Sequence, residues 1–269
     1  MFLQSAFNRF GLGFRSLVKW KRGNYIEFNE SKEQLFAGRT NHAELELCEE
    51  QLRDKYNLQF QYSHSTRNRY LETLNYLEYL ETMLDNVILN EANNPHWLDV
   101  GSKNFSYAES IYRFLEKQTN DFSLTGIELD AFRIYRDFYS RFDYAQYYIH
   151  HLPNATYEVG NILHQRGEYD IISHFLPFIF LEPILKWGLP HSEFAPNKIL
   201  LHIVSLLKPN GILLIVNQGE DEFEKQKLLI ERLNSKDKLL IVEWKGTMQD
   251  SFFQFKHKRY GWVLKSIKS

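Results

Sequence analysis

The 269-residue sequence contains one cysteine, Cys48, and only 13 glycines and 7 prolines. A single cysteine excludes an intrachain disulfide framework and cysteine-rich zinc sites. It is typical of a reducing compartment, so we expect a cytoplasmic protein. The formal net charge of −2 excludes a global basic field, and we therefore expect no nucleic-acid partner. No uninterrupted apolar run reaches the roughly 18 residues of a membrane span.

Hydrophobic residues are plentiful by contrast. They make up 43% of the chain, enough for a sizeable core, and the length predicts one large or two modest domains. The aromatic fraction of 16% is high, so aromatic side chains can line a cavity as well as fill the core.

The first 22 residues are basic and amphipathic, with five basic residues and no acid. Seven apolar residues can share one helical face: Phe2, Leu3, Phe7, Phe10, Phe14, Leu17 and Val18. Such a helix either packs its apolar face on the protein's own core or lies on an anionic membrane. We expect the packed arrangement, with peripheral membrane contact through residues 1–22 as the alternative. Arg9 and Arg15 interrupt the apolar stretch, so we expect no secretory signal.

The pattern of the chain changes near residue 94. Before it, residues 1–93 are mostly helical, most clearly from Leu71 to Leu84, where leucines recur every three or four positions after a cap at Ser65 or Thr66. The sequence NEANNP at 90–95 then predicts a turn. From there on, short apolar runs alternate with periodic stretches, which predicts a mainly parallel α/β sheet. We therefore predict a helical extension over 1–93 and an α/β domain over 94–269.

Strands are predicted at seven segments: WLDVG, LTGIEL, ATYEVG, YDIISHF, GILLIVN, KLLIVEWK and YGWVLKSI. A helix is predicted over 131–142 (AFRIYRDFYSRF), with Asp130 as its cap. Parallel sheets bind ligands outside the carboxyl ends of their strands. The turn that follows the first predicted strand, in LDVGSKNF at 98–105, therefore lies at the expected ligand crevice.

Four segments in order carry a resemblance to a known family: LDVGSKNF at 98–105, LTGIELD at 124–130, YEVGNIL at 157–163 and LLKPNGILLIVN at 206–217. Together they resemble the cofactor motifs of class I S-adenosylmethionine-dependent methyltransferases. The resemblance covers roughly residues 94–269. It implies a Rossmann-like sheet, mainly parallel with an antiparallel last strand, and S-adenosylmethionine as the cofactor.

The same resemblance implies seven cofactor-binding positions: Asp99, Gly101, Ser102, Lys103, Glu128, Asn161 and Ile162. Gly101 allows close backbone approach, and Glu128 can accept hydrogen bonds from both ribose hydroxyls. Asn161 matches the position that contacts the adenine edge. Either Tyr135 or Ile162 could stack on the adenine.

Lys103 departs from the motif, because glycine usually stands there. We expect its side chain to face the methionyl carboxylate of the cofactor or the solvent. The missing glycines also bear on an NAD-binding alternative, since a pyrophosphate needs bare backbone amides. Their loss therefore disfavours a dinucleotide more than it disfavours S-adenosylmethionine.

For the reaction itself, His174 in SHFLPF is the candidate catalytic base, because imidazole titrates near neutral pH. Trp187, His191 and Phe194 are candidates for a substrate pocket. The Asp/Asn-Pro-Pro-Tyr/Phe pattern of many amine-methylating relatives is absent. His150 and His151 have no evident third ligand, so we expect no metal.

We therefore predict methyl transfer to a small or lipid-like acceptor. The alternative is a noncatalytic cofactor-binding or interaction protein that retains the fold.

Overall fold

The computed structural model describes residues 1–84, 94–236 and 238–268. A seven-stranded sheet runs through the molecule in the order β3–β2–β1–β4–β5–β7–β6. Its strands are β1 (His96–Val100), β2 (Ser123–Glu128), β3 (Ala155–Val159), β4 (Tyr169–Phe175), β5 (Leu207–Gln218), β6 (Leu240–Thr247) and β7 (Arg259–Ser266). Strands β1 to β5 pair in parallel, whereas β7 is antiparallel to both β5 and β6. The predicted mainly parallel sheet with an antiparallel last strand is confirmed.

The helices are α1 (Phe2–Val18), α2 (His42–Lys55), α3 (Gln59–His64), α4 (Arg67–Leu84), α5 (Ala108–Gln118), α6 (Arg141–Ile149), α7 (Leu181–Lys186), α8 (Pro196–Leu206) and α9 (Glu220–Lys236). Two short 3-10 turns lie at Ile162–His164 and His191–Glu193. Because strand side chains alternate between faces, Trp97 packs with residues of α4 and α5, while Leu98 packs with residues of α8 and α9. The sheet is therefore covered on both faces.

The predicted leucine-rich helix is α4. The Thr66 hydroxyl accepts a hydrogen bond from the Arg69 backbone N–H at 3.2 Å, so Thr66 rather than Ser65 caps the helix. Helix α4 packs against α5 and β7. The boundary predicted at residue 93 and most of the NEANNP turn lie outside the described residues, and the division into two parts stays a prediction.

The helix predicted over 131–142 is wrong. A helix begins only at Arg141, because Ser140 and Asp143 form a capping box just before it. The Ser140 hydroxyl accepts from the Asp143 N–H at 3.2 Å, and the Asp143 carboxylate accepts from the Ser140 N–H at 2.8 Å. Asp130 does not cap a helix either. Its carboxylate instead pairs with the Arg15 guanidinium at 2.7 Å.

The expected packing of the amphipathic first helix is also wrong. Helix α1 contacts the protein through Leu12, which packs on an apolar cluster that includes Leu185 and Leu189, and through polar groups. The Asn8 amide donates to the Leu185 and Leu189 carbonyls, both at 2.9 Å, and Arg15 pairs with Asp130. The predicted apolar face points outward, and its residues are exposed: Phe2, Leu3, Phe7, Phe10, Phe14, Leu17 and Val18. The packing of Leu12 and the polar contacts of Asn8 and Arg15 orient the helix.

Candidate functional site

A cavity of about 740 Å³ lies at the edge of the sheet where β1 to β5 end and β7 begins. This volume is within the range of small-molecule sites. Its β1–β3 half contains Gly101, Lys103, Glu128, Asn161 and Ile162. Its β5–β7 half contains Gln218, Glu222, Gln226, Phe255 and Arg259. His174, at the end of β4, stands between the two groups in strand order.

The turn after β1 keeps an unusual backbone with few glycines. Gly101, Lys103 and Phe105 have φ angles of 75°, 55° and 54°, in the left-handed region that favours glycine. The glycine that matters for this packing is on the neighbouring strand. A Cβ at Gly126 would lie 2.8 Å from the Phe105 ring and 2.8 Å from the Ser102 hydroxyl. Gly126 therefore makes room for the turn, a role that sequence reasoning missed.

Asp99 and Ser102 lie beneath the turn and do not border the cavity. Asp99 is fully buried, and its carboxylate accepts from the Ser173 hydroxyl at 2.6 Å and the Tyr107 hydroxyl at 2.7 Å. Burial raises the pKa of Asp99 to about 6, and the hydrogen bonds partly oppose that rise. The Ser102 hydroxyl donates to the Asp99 and Ile127 carbonyls, each at 3.1 Å. Both residues hold neighbours in place; Tyr107 itself borders the cavity.

Glu128 does border the cavity, but the protein already uses its carboxylate. It accepts from the backbone N–H groups of Lys103 at 2.9 Å and Asp130 at 2.8 Å. It also pairs with the Arg141 guanidinium at 3.0 Å, and both side chains are buried. A carboxylate has about four lone-pair positions, so roughly one remains for a ligand. Arg141, the first residue of α6, was missed because the predicted helix had placed it at a helix end.

Lys103 projects beside Trp187, with its Nζ 5.5 Å from the ring centroid. The surrounding protein desolvates the ammonium and lowers the pKa of Lys103, while the negative charge of Glu72 opposes that effect. The pKa of Glu72 is raised by burial. Glu72 comes from α4, so the helical N-terminal part of the chain contributes a charged group to the cavity. Sequence reasoning missed Glu72, because its spacing marks it only as a polar position on a helix.

Asn161 and Ile162 lie together after β3. The Asn161 side-chain oxygen accepts from the Leu163 N–H at 2.9 Å, and its amide donates to the Glu193 carboxylate at 3.2 Å. Asn161 thus caps a 3-10 turn as well as facing the cavity. Tyr135, the other candidate for adenine stacking, does not border the cavity, whereas Ile162 does.

His174 faces the cavity without a hydrogen-bond partner among the described residues. Burial alone lowers its pKa to about 4, so the imidazole is neutral near neutral pH. A neutral imidazole can accept a hydrogen bond or proton at one ring nitrogen and donate at the other. The low pKa makes it a weak base at neutral pH.

Of the three predicted pocket residues, only Trp187 borders the cavity. The His191 N–H donates to the Ser5 hydroxyl at 2.8 Å and so helps to hold α1. Phe194 packs against a small apolar cluster that includes Leu185 and Leu189. No group of three or more metal-ligating side chains occurs in the described part of the chain.

The strand order and the antiparallel β7 give the chain the fold of class I S-adenosylmethionine-dependent methyltransferases. The sequence matches no protein-family model and no curated protein. The solved structure of the cyclase SpnF is similar with a TM-score of 0.50 at 11% identity, over 71% of this chain and 81% of SpnF.

Two further solved structures share the likeness. The N-methyltransferase NodS from Bradyrhizobium japonicum WM9, in complex with S-adenosylhomocysteine, has a TM-score of 0.49 at 12% identity, over 74% of this chain and 88% of NodS. TrmN from Thermus thermophilus has a TM-score of 0.46 at 14% identity, over 69% of this chain and 47% of TrmN. The chain therefore spans less than half the length of TrmN. At these identities the likeness concerns the fold alone.

Proposed function

We propose that the protein transfers a methyl group from S-adenosylmethionine to a small or lipid-like acceptor. The observation that carries the proposal is the cavity at the carboxyl ends of β1 to β3, where Gly101, Lys103 and Glu128 meet. These groups suit the cofactor: Gly101 presents no Cβ, and Lys103 offers an ammonium that forms no ion pair within the described residues. The β5–β7 half, where Phe255 lies among polar side chains, provides space for an acceptor.

Each predicted cofactor-binding residue has a role in this proposal. Glu128 accepts from the ribose through its remaining lone pair, and Lys103 binds the methionyl carboxylate. Ile162 lies against the adenine, and Asn161 contacts its edge. Asp99 and Ser102 act indirectly, by holding Tyr107 and the turn.

S-adenosylmethionine held by Gly101, Lys103 and Glu128 would supply an already activated methyl group and would leave as S-adenosylhomocysteine, while the acceptor's nucleophile would give up its proton. The protein's contribution is alignment. We propose that neutral His174 orients the nucleophile by a hydrogen bond and accepts its proton during the reaction. Burial lowers the pKa of His174 to about 4, so the imidazole is neutral before the reaction and one ring nitrogen can accept a hydrogen bond or a proton.

The alternative is a noncatalytic protein that retains the fold. It is favoured by the three hydrogen bonds that Glu128 already accepts and by the use of both ends of the Asn161 amide. In that case the cavity binds a ligand without turnover.

Calorimetric titration with S-adenosylhomocysteine, S-adenosylmethionine and NADH tests the proposal. We expect both adenosyl ligands to bind. Lys103→Gln should weaken their binding about tenfold, the effect of losing a hydrogen bond to a charged group. Lys117→Gln, on the exposed side of α5, is the matched control and should bind like the wild type. Binding of NADH alone would contradict the proposal. The alternative would be favoured if the adenosyl ligands bind but no methyl group is transferred from labelled cofactor to any small-molecule or phospholipid acceptor.

We also propose that α1 binds an anionic membrane surface. At about 100° per residue, the seven apolar residues span one side of the helix, opposite Asn8 and Arg15, which attach it to the protein. An exposed apolar face of this length is not explained by the fold itself. Residues 1–22 contain five basic residues and no acid. Arg15 is paired with Asp130, whereas the exposed Arg9 and Lys19 form no ion pair within the described residues and can meet anionic lipid. None of the helices in the described ranges is long and apolar enough to cross a bilayer.

Vesicle co-sedimentation tests this contact. The double variant Phe7→Gln/Phe10→Gln should lose binding to vesicles that contain anionic phosphatidylglycerol. Phe28→Gln/Leu228→Gln removes two exposed apolar side chains outside α1 and should bind normally. Equal binding of both variants would refute the proposal. The proposal would also be refuted if the wild type does not bind vesicles but forms a dimer, and the Phe7→Gln/Phe10→Gln variant is a monomer. In that case α1 would be an interface between two copies.

A further inference from the structure

Arg259 stands at the opposite side of the cavity from the proposed cofactor turn. It is the first residue of β7 and pairs in register with Gln218, the last residue of β5. Because β7 is antiparallel, its beginning lies at the same sheet edge as the end of β5. The side chain is 7% exposed and borders the cavity. It therefore places a positive charge in the β5–β7 half.

The Arg259 guanidinium has no polar partner in the described part of the chain. It lies over the Phe255 ring, 4.4 Å from the centroid, and its Nη1 is buried without a hydrogen bond. Other buried arginines differ in forming an ion pair, Arg69 with Glu27 at 2.6 Å and Arg141 with Glu128 at 3.0 Å, although each also keeps one buried nitrogen without a hydrogen bond. Arginine is rarely buried unless it is paired, so the Arg259 guanidinium is available to bind an anionic ligand.

The charge of Arg259 interacts with two carboxyl groups, but both of them accept hydrogen bonds from other residues. Glu222 accepts from the Gln218 N–H at 2.8 Å, and Asp250 accepts from the Tyr79 hydroxyl. Burial raises the pKa of both carboxyl groups, and the charge of Arg259 opposes that rise. Glu222 borders the same cavity, so the guanidinium suits a monoanion better than a phosphate dianion, which this carboxylate would repel more strongly.

The walls near Arg259 define the rest of the ligand. Beside the polar Gln218 and Gln226, the cavity is lined by aromatic and aliphatic side chains that include Tyr76, Phe175, Leu229 and Phe255. We propose that Arg259 binds the carboxylate of the methyl acceptor, and that the acceptor is an aromatic or aliphatic carboxylic acid. A planar guanidinium can form two parallel hydrogen bonds to a carboxylate, which would satisfy the buried Nη1. This inference rests on the proposed function, since it takes the β5–β7 half as the acceptor side.

Matched pairs of probes test the inference: phenylacetate against phenylacetamide, and octanoate against octanamide, with phenyl phosphate as the dianion. Dissociation constants are measured by NMR titration with and without saturating S-adenosylhomocysteine. In the wild type, at least one carboxylate should bind about tenfold or more tightly than its amide, and phenyl phosphate should bind more weakly than phenylacetate. Arg259→Gln should abolish the carboxylate preference. Arg232→Gln, an exposed arginine of α9, should retain it.

The possible results separate this inference from the proposed function. Absence of a carboxylate preference in both pairs, or its persistence in Arg259→Gln, would overturn the inference. S-adenosylhomocysteine binding to Arg259→Gln with wild-type affinity verifies that the variant is folded. If the preference is present but no adenosyl ligand binds, the proposed function fails and Arg259 remains an anion-binding group. If adenosyl ligands bind without the preference, only the inference fails.

Discussion

Replacing Asp99 with asparagine should stabilise the protein in a pH-dependent manner. The Asp99 carboxyl is fully buried under the β1 turn, with hydrogen bonds from Ser173 at 2.6 Å and Tyr107 at 2.7 Å. Burial is the largest influence on this group and raises its pKa from the ordinary value of 3.8 to about 6. Asparagine has nearly the same shape and never ionises, so it removes the cost of burying a charge while retaining polar contacts.

The direction of the effect follows from proton linkage. Between about pH 4 and pH 6 the folded protein holds the Asp99 proton more tightly than the unfolded chain does. Stability therefore falls as the pH rises through this window. Above it, ionised Asp99 destabilises the fold by about 3 kcal/mol. The asparagine variant lacks this loss.

Urea unfolding from pH 5 to pH 8 measures the effect. The free energy of unfolding of Asp99→Asn minus that of the wild type should increase by about 1.5 kcal/mol over this range. Any change in hydrogen-bond strength adds a constant, so the slope isolates the ionisation of Asp99. Asp121→Asn, at an exposed position, serves as the control. A flat difference, or one that declines as the pH rises, would refute the reasoning.

Three further predictions concern stability. Arg259→Met should raise the free energy of unfolding, because it removes a buried group without a hydrogen bond; the expected gain is about 1–3 kcal/mol, reduced by the energy of the lost contact with the Phe255 ring. A decrease in urea unfolding would indicate that Arg259 has a structural role. A double-mutant cycle with Glu128→Gln and Arg141→Met should give a coupling energy of about 2–3 kcal/mol, because the pair is buried; additive effects would contradict this. Gly126→Ala should lower the melting temperature and reduce the free energy of unfolding by about 1–3 kcal/mol, whereas Gly13→Ala, where a Cβ has free space, should lower neither. Equal effects of the two substitutions would show that the turn tolerates a Cβ at Gly126.

The strands and the acid at the end of β2 could be predicted from the sequence because their signals are local. Apolar runs of strand length identify the sheet, and their order places Glu128 at a carboxyl end. The orientation of α1 could not be predicted, since periodicity defines an apolar face but not the side on which it lies. The face points outward because Asn8 and Arg15 have specific partners about 115 to 180 residues away in sequence.

The charged residues of the cavity show a second limit. Arg141 and Arg259 matter through their partners or the lack of them, and neither property appears in sequence spacing. Glu72 comes from a helix before the cofactor motifs, so no motif includes it. The helix predicted over 131–142 was wrong because the capping box at Ser140 fixes the start of α6 more strongly than aromatic periodicity does.

The β1 turn keeps left-handed φ angles although Lys103 stands where the motif has glycine. Lys103 keeps a φ of 55°, a conformation that costs a non-glycine residue roughly 1 kcal/mol. Two contacts hold it there: its N–H donates to Glu128 at 2.9 Å, and its carbonyl accepts from the Tyr157 hydroxyl. Such strain persists where the surrounding structure fixes it, and it is common at ligand sites. A glycine would remove the strain but also the ammonium beside Trp187. This ammonium is the group that we propose as the partner for a carboxylate in the β1–β3 half.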